Sequence, residues 1–169
     1  MASAPWQKHV GSEMRHITQD GIDLIKRFEG FSPTVYICPA GYPTIGYGHL
    51  VREAEQYEQG VTKAEAEELL RRDVQMAEKA VLRLIDVPLT DGQFDALVSF
   101  TFNLGAGALQ RSTLRRKVNR QTHSEVPEQF MRWVWAGGQK MIGLVKRRGC
   151  EAIMYSSNDL KIHFNEQTR

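Results

Sequence analysis

The chain has little of what would assign it quickly to a class. Two cysteines among 169 residues cannot build a disulfide scaffold, and no Cys/His cluster has the spacing of a zinc site. No apolar run approaches the roughly 18 residues that a membrane span needs, so no stable membrane insertion is expected. Charge of one sign is also lacking. The 22 basic residues barely exceed the 20 acidic ones, for a formal net charge of +2, whereas a nucleic-acid-binding chain usually carries a larger excess. Residues 1–16, MASAPWQKHVGSEMRH, have no apolar core of the signal-peptide kind, which predicts accumulation in the cytoplasm. What remains is an ordinary composition, 41% hydrophobic and 25% charged. A chain of this length buries about two thirds of its unfolded surface, so no metal or disulfide lattice is needed to hold it together, and no cofactor is expected.

Residues 1–16 mix charge, Ser, Pro and Gly without period and read as a flexible leader. A first helix is expected over 18–30. Thr18 can cap it, Ile22, Ile25 and Phe28 share one face, and Gly30 stands where a left-handed residue ends a helix. From Pro33 to His49 the texture changes to strand formers broken by CPAGYP, which suggests a small antiparallel hairpin in a thin lobe over about 30–61. Thr62 with Glu65 forms a capping box ahead of a long amphipathic run. Its stripe of Ala66, Leu69, Leu70, Val74, Ala77, Val81 and Ile85 predicts one connecting helix over about 62–86, roughly 35 Å long. Thr90 and Gln93 open a further apolar helix, and more helices are expected from Ser112, near Pro127 and from Met141 to Tyr155. They build a larger helical lobe over about 88–156, while 157–169 reads as a polar tail.

The chemistry concentrates between Glu29 and His49. A carboxyl at a helix C-terminus beside Phe28 and Phe31 has its anionic form disfavoured by burial and by the helix dipole, as a proton donor requires. Eight residues separate Glu29 from Cys38 and five separate Cys38 from Thr44. A helix end followed by a hairpin would turn these three side chains toward one cleft.

FEGF followed by YICPAGYPTIGYGHL resembles the active-site segment of the phage-type lysozymes, the endolysin family of glycoside hydrolases. Later motifs agree in order: Leu89-Thr90 with Gln93-Phe94-Asp95-Ala96-Leu97, Phe102-Asn103-Leu104-Gly105, Trp135-Ala136-Gly137-Gly138, and Gly143-Leu144-Val145 with Arg147-Arg148 and Glu151. The resemblance covers about residues 17–156. It implies an α+β, lysozyme-like fold and hydrolysis of the β-1,4 bond between N-acetylmuramic acid and N-acetylglucosamine in bacterial peptidoglycan. Glu29 would protonate the leaving oxygen, Thr44 would help place water or the anomeric centre, and His49 would support the site from the adjoining strand. Arg147 matches the arginine that reaches the acid from the helical lobe, its charge opposing burial. The implied protein is a monomer that acts on the wall in the periplasm, after a holin-like lesion gives it passage from the host cytoplasm.

Many family members carry Asp where Cys38 stands. The anion of a nearby Glu29 should push the thiol upward and leave it neutral, whereas a thiolate is a good nucleophile. Base, nucleophile and hydrogen-bond partner all remain open. Cys150, three residues after Arg147, would share that residue's helix face, and a disulfide to Cys38 would then block the cleft, although free burial is commoner for cysteine. Phe102, Asn103 and Thr113 lie where relatives line the saccharide groove, with core, helix-end and cap-neighbour roles as the plainer readings. Trp133 and Trp135 suggest sugar stacking, at least one of them being core. Lys146, Arg147 and Arg148, with Arg115, Arg116, Lys117 and Arg120, form basic clusters that could attract anionic wall polymer, solvated helix faces being the plainer reading. A binding module without catalysis, a delivered antibacterial muramidase, a chitinase and a transglycosylase are the competing readings.

Overall fold

The computed structural model describes residues 14–166, with side chains to 157. The expected leader therefore lies outside the described residues over 1–13, and its last residues are docked. Arg15 donates to the Leu89 carbonyl (3.0 Å), pairs with Asp91 and covers the Phe94 ring. His16 Nδ1 lies 2.9 Å from Glu78 Oε2, whose partner oxygen accepts the Ile17 N–H at 2.8 Å.

Helix α1 (Gln19–Glu29) buries Gly21, Ile22 and Ile25. Thr18 precedes it as expected, but its side chain does not cap the helix; the hydroxyl and N–H instead bond the buried Asp95. Strands β1 (Ser32–Ile37), β2 (Pro43–Gly46) and β3 (His49–Leu50) form an antiparallel sheet in that order. Thr44 is opposite both Tyr36 and Leu50, and Ile45 is opposite His49, so these sets point to opposite faces. The Ile45–His49 face turns to helix α2 (Lys63–Asp73). A Cβ on Gly46, which holds φ +64°, would come within 2.9 Å of Ala66 Cβ, so glycine lets the strand lie directly against the helix.

The single connecting helix expected over 62–86 is two, α2 and α3 (Gln75–Leu84), because Val74 between them flattens to ψ −14° and its N–H is shared by the carbonyls of Leu70 and Arg72. The tightened turn does not rotate the stripe off the core: Ala66, Leu69, Leu70, Val74, Ala77, Val81 and Ile85 are all buried. Both anticipated capping boxes are formed, at Thr62–Glu65 and Thr90–Gln93.

Helix α4 (Asp91–Leu104) is buried continuously from Gly92 to Thr101, as befits a central helix surrounded by others. It packs against α1, α3, α5 (Ala106–Arg111) and α8 (Ile142–Glu166). Short helices α6 (Thr113–Asn119) and α7 (Val126–Phe130) and the hairpin β4 (Trp135–Ala136) with β5 (Gln139–Lys140) complete the helical half. Phe100, Phe130, Trp133 and Tyr155 stack edgewise or tilted within it. Helix α8 runs on through residues 157–166, where the polar composition predicts a tail. Among the described residues no helix is long and apolar enough to cross a membrane.

Candidate active site

Glu29 is the last residue of α1, because Gly30 at φ +71° turns the chain out of the helix. Its carboxylate stands where three elements meet. Arg147 Nη1 of α8 donates to Oε1 at 2.7 Å, and the same guanidinium sits 5.8 Å from the Phe28 ring centre. On the other side, a Cβ on Gly48 would lie 3.5 Å from Oε2, so the turn between β2 and β3 reaches the acid as closely as a residue without a side chain permits. Glu29 keeps a quarter of its side chain open, whereas Arg147 is almost wholly enclosed.

The β1–β2 turn brings Cys38 over Thr44. Cys38 N–H donates to the Tyr42 carbonyl (2.9 Å), and the Thr44 hydroxyl lies 3.0 Å from the same carbonyl. The backbone N–H of Tyr42, then the Thr44 hydroxyl, then the N–H groups of Ala40 and Gly41 lower the thiol's pKa, outweighing its slight burial. The upward shift expected from the sequence is therefore reversed, since a tight turn aims backbone donors at the sulfur. The single Thr44 hydroxyl proton has two acceptors in reach, that carbonyl and the sulfur. Cys38 and Cys150 are both free, so no disulfide closes this side of the molecule.

The ring nitrogens of His49 bond two other carboxylates, not Glu29. Its buried ring is held between Asp73 of α2 (Nδ1, 2.9 Å) and Glu55 of the following loop (Nε2, 3.0 Å), joining the sheet to the helix beneath it. Burial lowers its pKa, but the bonds to Glu55 and Asp73 more than offset this, and the ring is raised above its ordinary value. Neither carboxylate has a spacing or motif in the sequence that marks it as a partner of His49.

Phe102 is half-buried against the core. Asn103 is exposed in the last turn of α4, its Oδ1 accepting from Arg148. Thr113 accepts from Arg116 Nη2 at 2.7 Å, and the neighbouring Ser112 caps α6. Trp133 is half-buried and packs edge-on to Phe100 of the core, and Trp135 is 62% exposed. The basic cluster at Lys146–Arg148 dissolves: Lys146 is exposed, while Arg147 and Arg148 are buried on Glu151. Glu151 and Ser99 (Oγ to Oε1, 2.7 Å) are the contacts that sequence spacing did not isolate.

A small sheet, a helical body and a carboxylate at the end of the first helix define a lysozyme-like α+β protein. The profile of the phage lysozyme family matches residues 26–151. The chain is 40% identical over 148 residues to an endolysin of Bacillus phage B103, covering 86% of this chain and 56% of that protein. It is 36% identical to the endolysin of Salmonella phage P22, covering 85% of this chain and all of the other. A crystal structure of a P22 lysozyme variant superposes with a TM-score of 0.78 at 34% identity, over 84% of this chain and 99% of that one. The chain belongs to the phage lysozyme family. It spans little more than half the length of the B103 relative.

Proposed function

We propose that the chain hydrolyses the β-1,4 glycosidic bond between N-acetylmuramic acid and N-acetylglucosamine in bacterial peptidoglycan, as an endolysin that lyses the host. The observation that carries this reading is the Glu29 carboxylate held between Arg147 of the helical half and Gly48 of the sheet. An acid fixed at such a junction can face a polymer lying between two lobes. The proposed catalytic unit spans 17–156, with the small lobe over about 30–61 and the helical lobe over about 88–156.

Glu29 protonates the departing oxygen. Cys38, its thiol shifted toward the anion, stands in place of a second carboxylate as base, nucleophile or hydrogen-bond partner, and Thr44 helps place the water or the anomeric centre. His49 acts at one remove, by fastening β3 to α2. Phe102, Asn103 and Thr113 line the groove. In this reading the protein works as a monomer, gathers in the host cytoplasm and reaches the wall through a holin-like lesion.

Mass spectrometry of peptidoglycan digested by the purified chain tests the proposal. Products ending in reducing N-acetylmuramic acid are expected. Anhydro ends would instead make it a transglycosylase, reducing N-acetylglucosamine ends a glucosaminidase, and saccharide binding without new ends a binding module.

A further inference from the structure

Glu29, Arg147, Glu151 and Arg148 form a chain of alternating charge that runs from the candidate acid into the protein. Each edge of the Arg147 guanidinium meets a different partner: Nη1 meets Glu29 at 2.7 Å, Nη2 the Ser99 carbonyl at 3.4 Å and Nε Glu151 Oε1 at 3.4 Å. The Ser99 hydroxyl donates to that same Oε1 at 2.7 Å, and Oε2 accepts from Arg148 Nη1 at 2.8 Å. Arg148 continues to Asn103 at the surface. Glu151 is 0% exposed, as is Arg148, and Arg147 is 4% exposed. Two guanidiniums on consecutive residues repel, and burying them requires a compensating anion. Glu29 answers one of these charges at the outer end and Glu151 answers the pair from within, bonded to both arginines and, through Ser99, to α4. We infer that Glu151 is a positioning residue for Glu29: it fixes the plane of Arg147 and offsets its charge, and through Arg148 it ties the acid to the Asn103 amide at the groove edge. The inference rests on Glu29 being the proton donor of the reading above.

Burial pushes the Glu151 carboxyl up, while Arg148, the Ser99 hydroxyl and Arg147 oppose it. Burial brings Arg148 down to about 10, which leaves it charged at neutral pH. The charged groups facing Glu151 are Arg147 and Arg148 of its own helix; α4 contributes the neutral Ser99, and α1 contributes Glu29 across Arg147. Neutralising Glu151 therefore adds one net positive charge beside the acid. A residue that served packing alone would add none that the reaction feels.

The test is the pH dependence of kcat for reducing-end release from peptidoglycan by the full chain. Glu151→Gln is expected to lower kcat by about tenfold or more with a smaller change in KM. Its alkaline limb should move to lower pH by about half a unit or more. Glu151→Asp, which keeps the charge, should return the limb to its original place. A folded Glu151→Gln protein with an unmoved limb overturns the inference. Should that variant not fold, Ser99→Ala keeps every charge and loses only one hydroxyl; kcat should fall several-fold with the limb in place, and an unchanged kcat overturns the inference. Failure of the underlying reading has a separate signature, since Glu29→Gln would then release reducing ends as fast as the parent chain.

Discussion

The His49 imidazole on β3 meets the Asp73 carboxylate at the end of α2 at 2.9 Å, with Glu55 on its other nitrogen. A histidine whose pKa is raised in the folded state stabilises the fold fully below its ordinary value of 6.5. That contribution is lost as pH rises through the raised folded value. The thermal midpoint of the chain should accordingly decline across that alkaline step. His49→Gln should start lower and lose the step, and a midpoint that rises there would refute the pairing as a stabilising contact.

Glu29→Gln tests the acid directly. Loss of a general acid typically costs at least about a hundredfold in rate, so clearing of a peptidoglycan suspension should all but stop. Circular dichroism should change little, because the residue stands at a helix end, while the unfolding midpoint should fall somewhat as the enclosed Arg147 loses a counter-charge.

Backbone donors around the Cys38 sulfur favour its thiolate, so iodoacetamide at neutral pH should label Cys38 faster than Cys150, and activity should fall in step with labelling. Thr44→Val removes one donor and should slow the reaction. Cys38→Asp should keep or increase activity if negative charge or basicity is the residue's task, while Cys38→Ser keeps only hydrogen bonding. Equal labelling of the two thiols would contradict the donor geometry.

Gly46→Ala would place a methyl group 2.9 Å from Ala66 Cβ on a backbone of positive φ. Crowding alone should cost roughly 1–3 kcal/mol in urea unfolding. Ala66→Gly should recover part of that loss in a double-mutant cycle, leaving only the conformational strain.

Local grammar explains what was readable from the chain. The boxes at Thr62–Glu65 and Thr90–Gln93 and the glycine stop at Gly30 act within a few residues, so their signals are contiguous. The Glu29-to-Arg147 contact spans 118 positions and came only through resemblance. Asp73, Glu55 and Ser99 are ordinary polar residues until the fold brings a histidine or a guanidinium to them. The flattening at Val74 was invisible because an apolar stripe keeps its period whether or not one residue between its turns relaxes. Cys38 was misjudged for a related reason: a nearby anion can be guessed from spacing, but the orientation of peptide N–H groups in a five-residue turn cannot.

The clasp formed by Glu78 and Asp95 on the stretch from His16 to Thr18 has a practical corollary. A fluorophore or cargo grafted just ahead of Arg15 would be tethered to the α3–α4 body and would report on that body's tumbling. Registering motions of the sheet would take an attachment elsewhere, for instance at the solvent-facing side chain of Ile37.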